Sequence, residues 1–536
     1  MDITLVAVNS KYIHTNPAVR SIKYYVEKSG FSAEICEFSG KEEIHRAAAK
    51  IVHADSPVAA FSCYIWNIEY ILKLAQTVKK SAPRKSIIFG GPEAYCNAEK
   101  LLNRYPFIDA IVSGEGEKAT LGILKNGIGE KVILGEKADL SEIGFIYSDE
   151  DLSDKNRIFY YESSRGCPHN CAYCLSCIDK GVRFKPVKQV KEELERFAAS
   201  GVRLVKFIDR TFNADMKRAK KILEIIKNMP GETEFHIEIN PDSIDDEFVY
   251  MLGQIKKGRI RVEAGLQSIN PETLAAVNRS CNLDRIVRNI RAIKMEGVTI
   301  HLDLIAGLPH EDLESFKKSF NFAFGLNPDE LQLGFLKVLP QTELSCRAAE
   351  YGMVYDEFPP YEIISTDVLS ACDVQLLKNI EAVVDIYHNS AILKYSEEKL
   401  LKNFDSPFDM YKELADYLSE KGHLDFPHQK ADYLKFLYDF AAEFDIADEI
   451  TKDFFLGVKG GEPVWLKKEQ ELEKTKITNI LSEGKFDNLP ELCSVKPQNR
   501  HKFAKFYKFS GKIFLVSYPD GKVEDVTDKY NEIQRP

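Results

Sequence analysis

Long apolar runs are missing from this 536-residue chain, since no uninterrupted hydrophobic stretch reaches the ~20 residues that a bilayer span requires. A helical membrane protein is therefore excluded. Met1-Asp2-Ile3-Thr4 carries no basic leader and runs straight into a strand-like segment, so the expected location is the cytoplasm. A basic surplus is missing as well: 72 Lys and Arg stand against 82 Asp and Glu, a formal net charge of −10. Nucleic acid bound by bulk electrostatics is not expected from such a balance. Low-complexity tracts and internal repeats are also absent, and 44% hydrophobic with 29% charged residues is the usage of a globular chain. The length suggests about three domains, each able to bury a core.

What the sequence does contain is βα alternation, twice over. Strand-like runs at Ile3–Val8, Ser32–Phe38, Val58–Phe61, Ser86–Phe89 and Asp109–Val112 are separated by helical patterns such as Pro17–Lys28 and Asn67–Lys80. This predicts parallel strands with crossover helices, a doubly wound Rossmann-like α/β domain over 1–135. Ligands of such sheets lie beyond the carboxyl ends of the strands. The loops there are Asn9–Asn16, Ser62–Asn67, Gly90-Gly91-Pro92-Glu93 and Ser113-Gly114-Glu115-Gly116-Glu117, and their glycines can admit a large flat ligand close to the backbone.

After a linker at about 119–155 the alternation restarts. Strands are expected near Ile158–Ser163, Arg203–Ile208, Glu234–Asn240, Ile260–Gly265, Thr299–Ile305 and Leu331–Val338. Six βα units over 153–358 fit a partial (β/α)6 barrel with its active site at the C-terminal strand ends. From 359 to 536 the pattern turns mainly helical, as at Asp432–Glu443, and closes on strand-like Lys502–Tyr507 and Lys512–Ser517, an α+β domain.

Four of the eleven cysteines, Cys167, Cys171, Cys174 and Cys177, fall within eleven residues directly after the first barrel strand. Arg165-Gly166-Cys167-Pro168-His169-Asn170-Cys171-Ala172-Tyr173-Cys174 has C-x₃-C-x₂-C spacing. Three thiolates on one loop can hold three corners of a four-iron four-sulfur cluster and leave the fourth iron open to chelate a ligand. Cys177 adds a fourth sulfur, so structural zinc is the competing reading, although zinc ligands usually come as two well-separated pairs.

This segment, with Tyr173 before the third cysteine, resembles the signature of the radical S-adenosylmethionine (SAM) superfamily. The resemblance implies an enzyme that reductively cleaves S-adenosyl-L-methionine to a 5′-deoxyadenosyl radical, fed by an electron donor such as flavodoxin or ferredoxin. Phe207-Ile208-Asp209-Arg210-Thr211-Phe212 resembles the second-strand motif of cobalamin-type members, which puts Asp209 among the cofactor-binding candidates. Gly265-Leu266-Gln267-Ser268 followed by Asn278-Arg279 is similar to the part of oxygen-independent coproporphyrinogen oxidases that places a Gln and an Arg on SAM. Arg279 would then pair with the methionine carboxylate, a bidentate task suited to guanidinium, and Gln267 would lie beside it. Glu238 and Glu263 can accept from the amino group or ribose; buried carboxylates at strand ends also often pair with structural Arg or Lys. Asp303-Leu304-Ile305-Ala306-Gly307-Leu308-Pro309 resembles the glycine turn under the adenine, which singles out Gly307.

A doubly wound domain before such a barrel resembles the cobalamin-binding domain of cobalamin-dependent radical proteins. It implies contacts from Gly90, Gly91, Gly114, Gly116 and Ser62, with Tyr64 and Trp66 as candidates for packing on the ring. The family's Asp-x-His-x-x-Gly is absent, so cobalamin is expected base-off, with His14 either a ligand or a polar loop residue. Cys36, Cys63 and Cys96 match the number needed for the second cluster of a methylthiotransferase, but Cys36 falls inside a strand pattern and the first loop has no cysteine. Residues beyond about 360 look like an uncharacterised domain of some cobalamin-type members. His501-Lys502-Phe503-Ala504-Lys505-Phe506-Tyr507-Lys508-Phe509 interleaves basic and aromatic residues, the pattern of an edge strand with one wet face or of a surface for an acidic partner.

The expected function is a cobalamin-dependent radical enzyme, most simply a methylase of an unactivated carbon in a small molecule or peptide. The alternatives are a radical cyclase or oxidoreductase without methyl transfer, and a non-catalytic cobalamin- or redox-sensing protein.

Overall fold

The computed structural model describes residues 1–177, 181–279, 281–459, 463–465, 472–484, 486 and 488–532. It forms two compact units, 1–374 and 375–536. No helix among the described residues is long and apolar enough to cross a membrane.

The first unit begins with β1 (Ile3–Asn9), β2 (Ala33–Ser39), β3 (Val58–Ser62), β4 (Ser86–Gly90), β5 (Ala110–Gly114) and β6 (Val132–Gly135). They pair in parallel in the order β2-β1-β3-β4-β5-β6. β1 is buried along its whole length, as a central strand covered on both faces must be. The helix after it, Pro17–Lys28, starts where the sequence sets proline behind a capping Asn16, whose side chain accepts from Val19 N at 3.2 Å. β6 and the helix Gly116–Asn126 occupy much of the stretch expected as linker at 119–155. Val132-Ile133-Leu134-Gly135 is too short to show a strand period, and it pairs only because β5 offers it an edge.

The barrel follows. β7 (Ile158–Tyr161) leads into a hairpin of β8 (Ser164–Cys167) and β9 (Gly181–Phe184), then β10 (Leu204–Phe207), β11 (Glu234–Ile239), β12 (Ile260–Gln267), β13 (Thr299–Ala306) and β14 (Glu330–Phe335). Six of these lie side by side in sequence order, β7-β10-β11-β12-β13-β14, all parallel. Burial along β12 and β13 alternates strictly: Val262, Ala264, Leu302 and Leu304 are buried against the helices, and Glu263, His301 and Asp303 point the other way, into a polar lumen. β15 (Val354–Tyr355) and β16 (Ile363–Ser365) stay with this unit, because Ile363 N donates to Leu336 O and Val338 N to Tyr361 O, each at 2.9 Å.

In the second unit the helices Pro407–Glu420, Lys430–Phe440 and Ala447–Gly457 accompany an antiparallel sheet of β17 (Ala504–Phe509), β18 (Lys512–Ser517) and β19 (Lys522–Asp525). The helix expected at Asp432–Glu443 begins two residues earlier, at Lys430, where Gln429 and Asp432 form a capping box. β17 is the edge strand of the basic and aromatic segment, with Tyr507 stacked on Phe455 at 3.6 Å.

Candidate active site

The chain between Cys167 and Cys174 is held at its middle. Ala172 N donates to Val277 O at 3.0 Å, Leu344 N donates to Ala172 O at 2.9 Å, and Cys174 N closes a turn on Cys171 O at 3.1 Å. The three thiols face one cavity of about 260 Å³, whose wall also includes Tyr173, Arg210, Glu238, Glu263, Gln267, Arg279 and Asp303. Each sulfur has a polar neighbour: Thr211 Oγ1 at 3.5 Å from Cys167, Arg279 Nη1 at 3.9 Å from Cys171 and Ser176 N at 3.4 Å from Cys174. The side chain of Cys177 lies outside the described residues.

Gln267 ends β12 at a bulge and has φ of +70°, a strained conformation for glutamine. Its Oε1 is buried without a hydrogen-bond partner in the cavity wall, an acceptor waiting for a donor. The turn is secured by Glu311, fully buried, which accepts from Ser268 Oγ at 2.7 Å and Ser319 Oγ at 2.9 Å. Arg279 donates to Gly265 O and turns its other nitrogen to Cys171. Burial and the charge of Glu263 push Glu238 up to about 7, and burial with Glu263 and Glu238 pushes Asp303 up to about 8. Near neutrality both can therefore donate as well as accept.

Asp209 does something else. It is fully buried, and its two oxygens accept from Ser163 N at 2.7 Å, Ser163 Oγ at 2.5 Å, Ser164 N at 3.1 Å and Ser164 Oγ at 2.7 Å. Expected on a cofactor, it instead fixes the start of the cysteine-bearing strand β8. Gly307, at φ +86°, is covered by Ile363, whose Cγ2 would lie 2.7 Å from an added Cβ.

A second cavity, about 490 Å³, opens between the first sheet and the barrel mouth. Asn9, His14, Asn16, Tyr64 and Trp66 line it from one side and Tyr160, Glu162, Arg165, Arg210 and Glu238 from the other. Strand order reverses between β1 and β3, so the loops after those two strands border the crevice. That geometry explains which candidates are there. His14 lines the cavity, and its Nδ1 lies 2.7 Å from Tyr160 Oη. Trp66, 57% exposed, stacks on Tyr64 with centroids 4.3 Å apart.

Gly90, Gly91, Gly114, Gly116 and Ser62 are not among its lining residues. Their surroundings account for them in other ways. An added Cβ on Gly91 would lie 2.6 Å from Cys63 O and one on Gly114 2.8 Å from Gly135 O, so backbone, not ligand, fills those spaces. Gly116 faces Ile22, Gly90 has only Val112 Cβ at 3.8 Å, and Ser62 is buried, its carbonyl accepting from Asn67 Nδ2 at 3.0 Å. Cys36 and Cys63 are buried and Cys96 half-buried, and burial raises the thiol pKa of each.

Arg165, two residues before Cys167, was not singled out by the sequence. It pairs with Glu115 at 2.8 Å, Glu117 at 3.0 Å and Glu162 at 2.7 Å, joining the loop after β5 to the root of the cysteine loop. The signal was a lone cation beside the motif and a Glu115/Glu117 pair without a partner in its own segment.

Comparison with known families matches residues 3–124 to a B12 binding domain and 161–323 to the radical SAM superfamily. The chain carries a B12 binding domain followed by a radical SAM domain. Residues 349–529 match a further family described as a protein of unknown function, DUF4080. Among curated relatives, the chain is 23% identical over 350 residues to the cobalamin-dependent radical SAM methyltransferase TokK of Streptomyces tokunonensis, covering 58% of this chain and 51% of that one. The match thus spans about half the length of that relative. Among solved structures, the fold is similar to TsrM of Kitasatospora setae, a radical SAM methyltransferase determined with cobalamin and a [4Fe-4S] cluster, with TM-score 0.57, 16% identity and coverage of 68% of this chain and 82% of that one. It is also similar to OxsB, a cobalamin-dependent SAM radical enzyme, with TM-score 0.60, 14% identity and coverage of 82% and 75%.

Proposed function

We propose that the chain is a cobalamin-dependent radical SAM enzyme that methylates an unactivated carbon of a small molecule or peptide. The observation that carries this reading is the wall shared by the two cavities. Arg210 and Glu238 line both the cysteine cavity and the crevice under the B12 domain, so one substrate position can face both.

The donor set fits the groups involved. Cys167, Cys171 and Cys174 would hold a four-iron four-sulfur cluster, with Arg279 on the methionine carboxylate of SAM and the orphaned Gln267 Oε1 accepting from the SAM amino group. His14, Tyr64 and Trp66 would contact a base-off cobalamin. Together these groups supply a hydrogen-abstracting radical and a transferable methyl group. Asp209 and Arg165 keep the cysteine loop in place, while Arg210 and Glu238 orient the substrate carbon between the cavities. His14 is held at Nδ1 by Tyr160 in the loop after β1. An electron donor such as flavodoxin or ferredoxin would feed the cluster. The domain division that goes with this reading is 1–135, 153–358 and 359–536.

The test is anaerobic reconstitution of the full chain. It should carry about four irons and four sulfides, take up cobalamin with a base-off visible spectrum, and release 5′-deoxyadenosine from SAM on reduction. Stoichiometric zinc without sulfide would overturn the cluster. A chain that takes up no cobalamin under full supply leaves a cobalamin-free radical enzyme as the better reading.

A further inference from the structure

Where the cysteine cavity meets the lumen of the barrel, Glu263 of its wall is joined by two histidines that the proposed reaction does not use. His236 on β11, Glu263 on β12 and His301 on β13 project from three adjacent strands, with Glu263 and His301 directly opposite in register. Their ligand atoms all lie within 4.8 Å of one another. His236 Nε2 is 2.7 Å from Glu263 Oε2, and His301 Nδ1 is 4.0 Å from the same oxygen. Glu330 Oε2, on β14, is 3.7 Å from His301 Nδ1.

We propose that His236, Glu263 and His301 form a binding site for a divalent first-row transition cation, with Glu330 available as a fourth ligand. The argument is one of donor type and support. Two imidazoles and a carboxylate, offered from rigid strands, suit zinc, cobalt or ferrous iron and not calcium or magnesium, which prefer oxygen alone. A metal-bound imidazole characteristically donates its other N–H to a carboxylate. His301 is placed for this, because its Nε2 lies 3.5 Å from Asp303 Oδ1, an atom otherwise buried without a hydrogen-bond partner. The group is also enclosed: His236 is 4% exposed, and the side chains of His301 and Glu263 are 13% and 25% exposed. Lys206, on β10, also faces this layer, and its charge would oppose a cation.

The site is independent of the methylase reading and is tested without the cluster. The full-length chain with Cys167, Cys171 and Cys174 all replaced by alanine, purified free of cobalamin, is equilibrated with Co(II) chloride. It should retain about one Co(II) per chain, with weak visible ligand-field bands and no thiolate charge-transfer band. Asp303→Asn should weaken binding on the order of tenfold to a hundredfold, as loss of an outer carboxylate does, and Lys206→Met should tighten it. His236→Gln with His301→Gln should abolish it. Retention no greater than in that double variant, or a thiolate charge-transfer band, overturns the site. If the double variant does not fold, as judged by circular dichroism, pulsed electron paramagnetic resonance of Cu(II) bound to the parent chain decides. Two coupled imidazole nitrogens support the site, and none overturns it.

Discussion

The barrel mouth and the glycine loops of the first sheet both carry residues that the family resemblance pointed to, but they use them differently. At the mouth, side chains from separate strands converge on one cavity and leave Gln267 Oε1 without a partner. In the loops after β4 and β5 the space beside Gly91 and Gly114 is filled by the carbonyls of Cys63 and Gly135. A residue whose polar groups are unsatisfied is available to a ligand; a glycine whose missing Cβ is replaced by backbone is already used by the fold.

The comparison breaks most sharply at the cysteines. Replacing Cys167, Cys171 or Cys174 by alanine should remove the cluster, read as iron and sulfide content, while Cys177→Ala should keep it. Equal loss in all four variants would point to a closed four-thiolate site.

The next effect is on stability. Arg165 is 18% exposed at its side chain and Glu117 5%, so Arg165→Ala leaves a buried carboxylate with Ser21 at 2.6 Å and its own backbone N–H, but no cation, to compensate. Breaking such a pair costs about 3 kcal/mol or more, measurable by chemical denaturation, and Arg165→Lys should restore part of it. A change within the noise would show that the loop after β5 and the cysteine loop are not coupled.

Arg279 tests the mouth as a ligand site. Arg279→Ala should weaken SAM binding by roughly 1.5–3 kcal/mol, or on the order of tenfold to a hundredfold, and Arg279→Lys should recover only a part. Unchanged affinity would remove Arg279 from the clamp and weaken the case for Gln267 beside it.

These contrasts also mark what the sequence makes legible. The parallel alternation, the partial barrel and the cysteine loop follow from period-two runs and C-x₃-C-x₂-C spacing, both of which are local. Arg165, Glu311 and the His236–Glu263–His301 layer depend on residues 27 to 50 positions apart meeting in space. Asp209 shows the converse. Its motif was visible, but the four donors that saturate it come from Ser163 and Ser164 on another strand end, and only the fold reveals them. For Gly91 and Gly114 the positive φ and the close backbone carbonyl are requirements of the fold, which the sequence alone does not distinguish from room left for a ligand.

Glu311 gives a pH signature of the strained Gln267 turn. Burial pushes its carboxyl from the ordinary 4.5 up to about 7, although Ser268 and Ser319 hydrogen bonds pull the other way. Between those pH values the folded chain holds a proton that the unfolded chain has lost, so this group's contribution to stability falls as pH rises through that window. The slope is at most about 1.4 kcal/mol per pH unit for one proton. Denaturation of the cofactor-free chain at several pH values should show a shallower fall in Glu311→Gln, and an identical slope would mean that Glu311 is ionised in the fold.

The smallest effect is expected at His14, where the two regions meet. Its Nδ1 lies 2.7 Å from Tyr160 Oη, burial lowers its pKa, and its backbone pairs with Ile158 at the start of the barrel. A ring fixed in this way serves the seam between sheet and barrel. Removing it should cost one neutral hydrogen bond, about 1 kcal/mol. If cobalamin binds base-off without a protein ligand, His14→Ala should leave its visible spectrum essentially unchanged while modestly lowering stability. A clear spectral shift in that variant, with normal cobalamin uptake, would make His14 a cobalt ligand after all. The loop after β1 would then be a ligand site in the same sense as the barrel mouth, and the contrast between the two regions would narrow to the glycine loops alone.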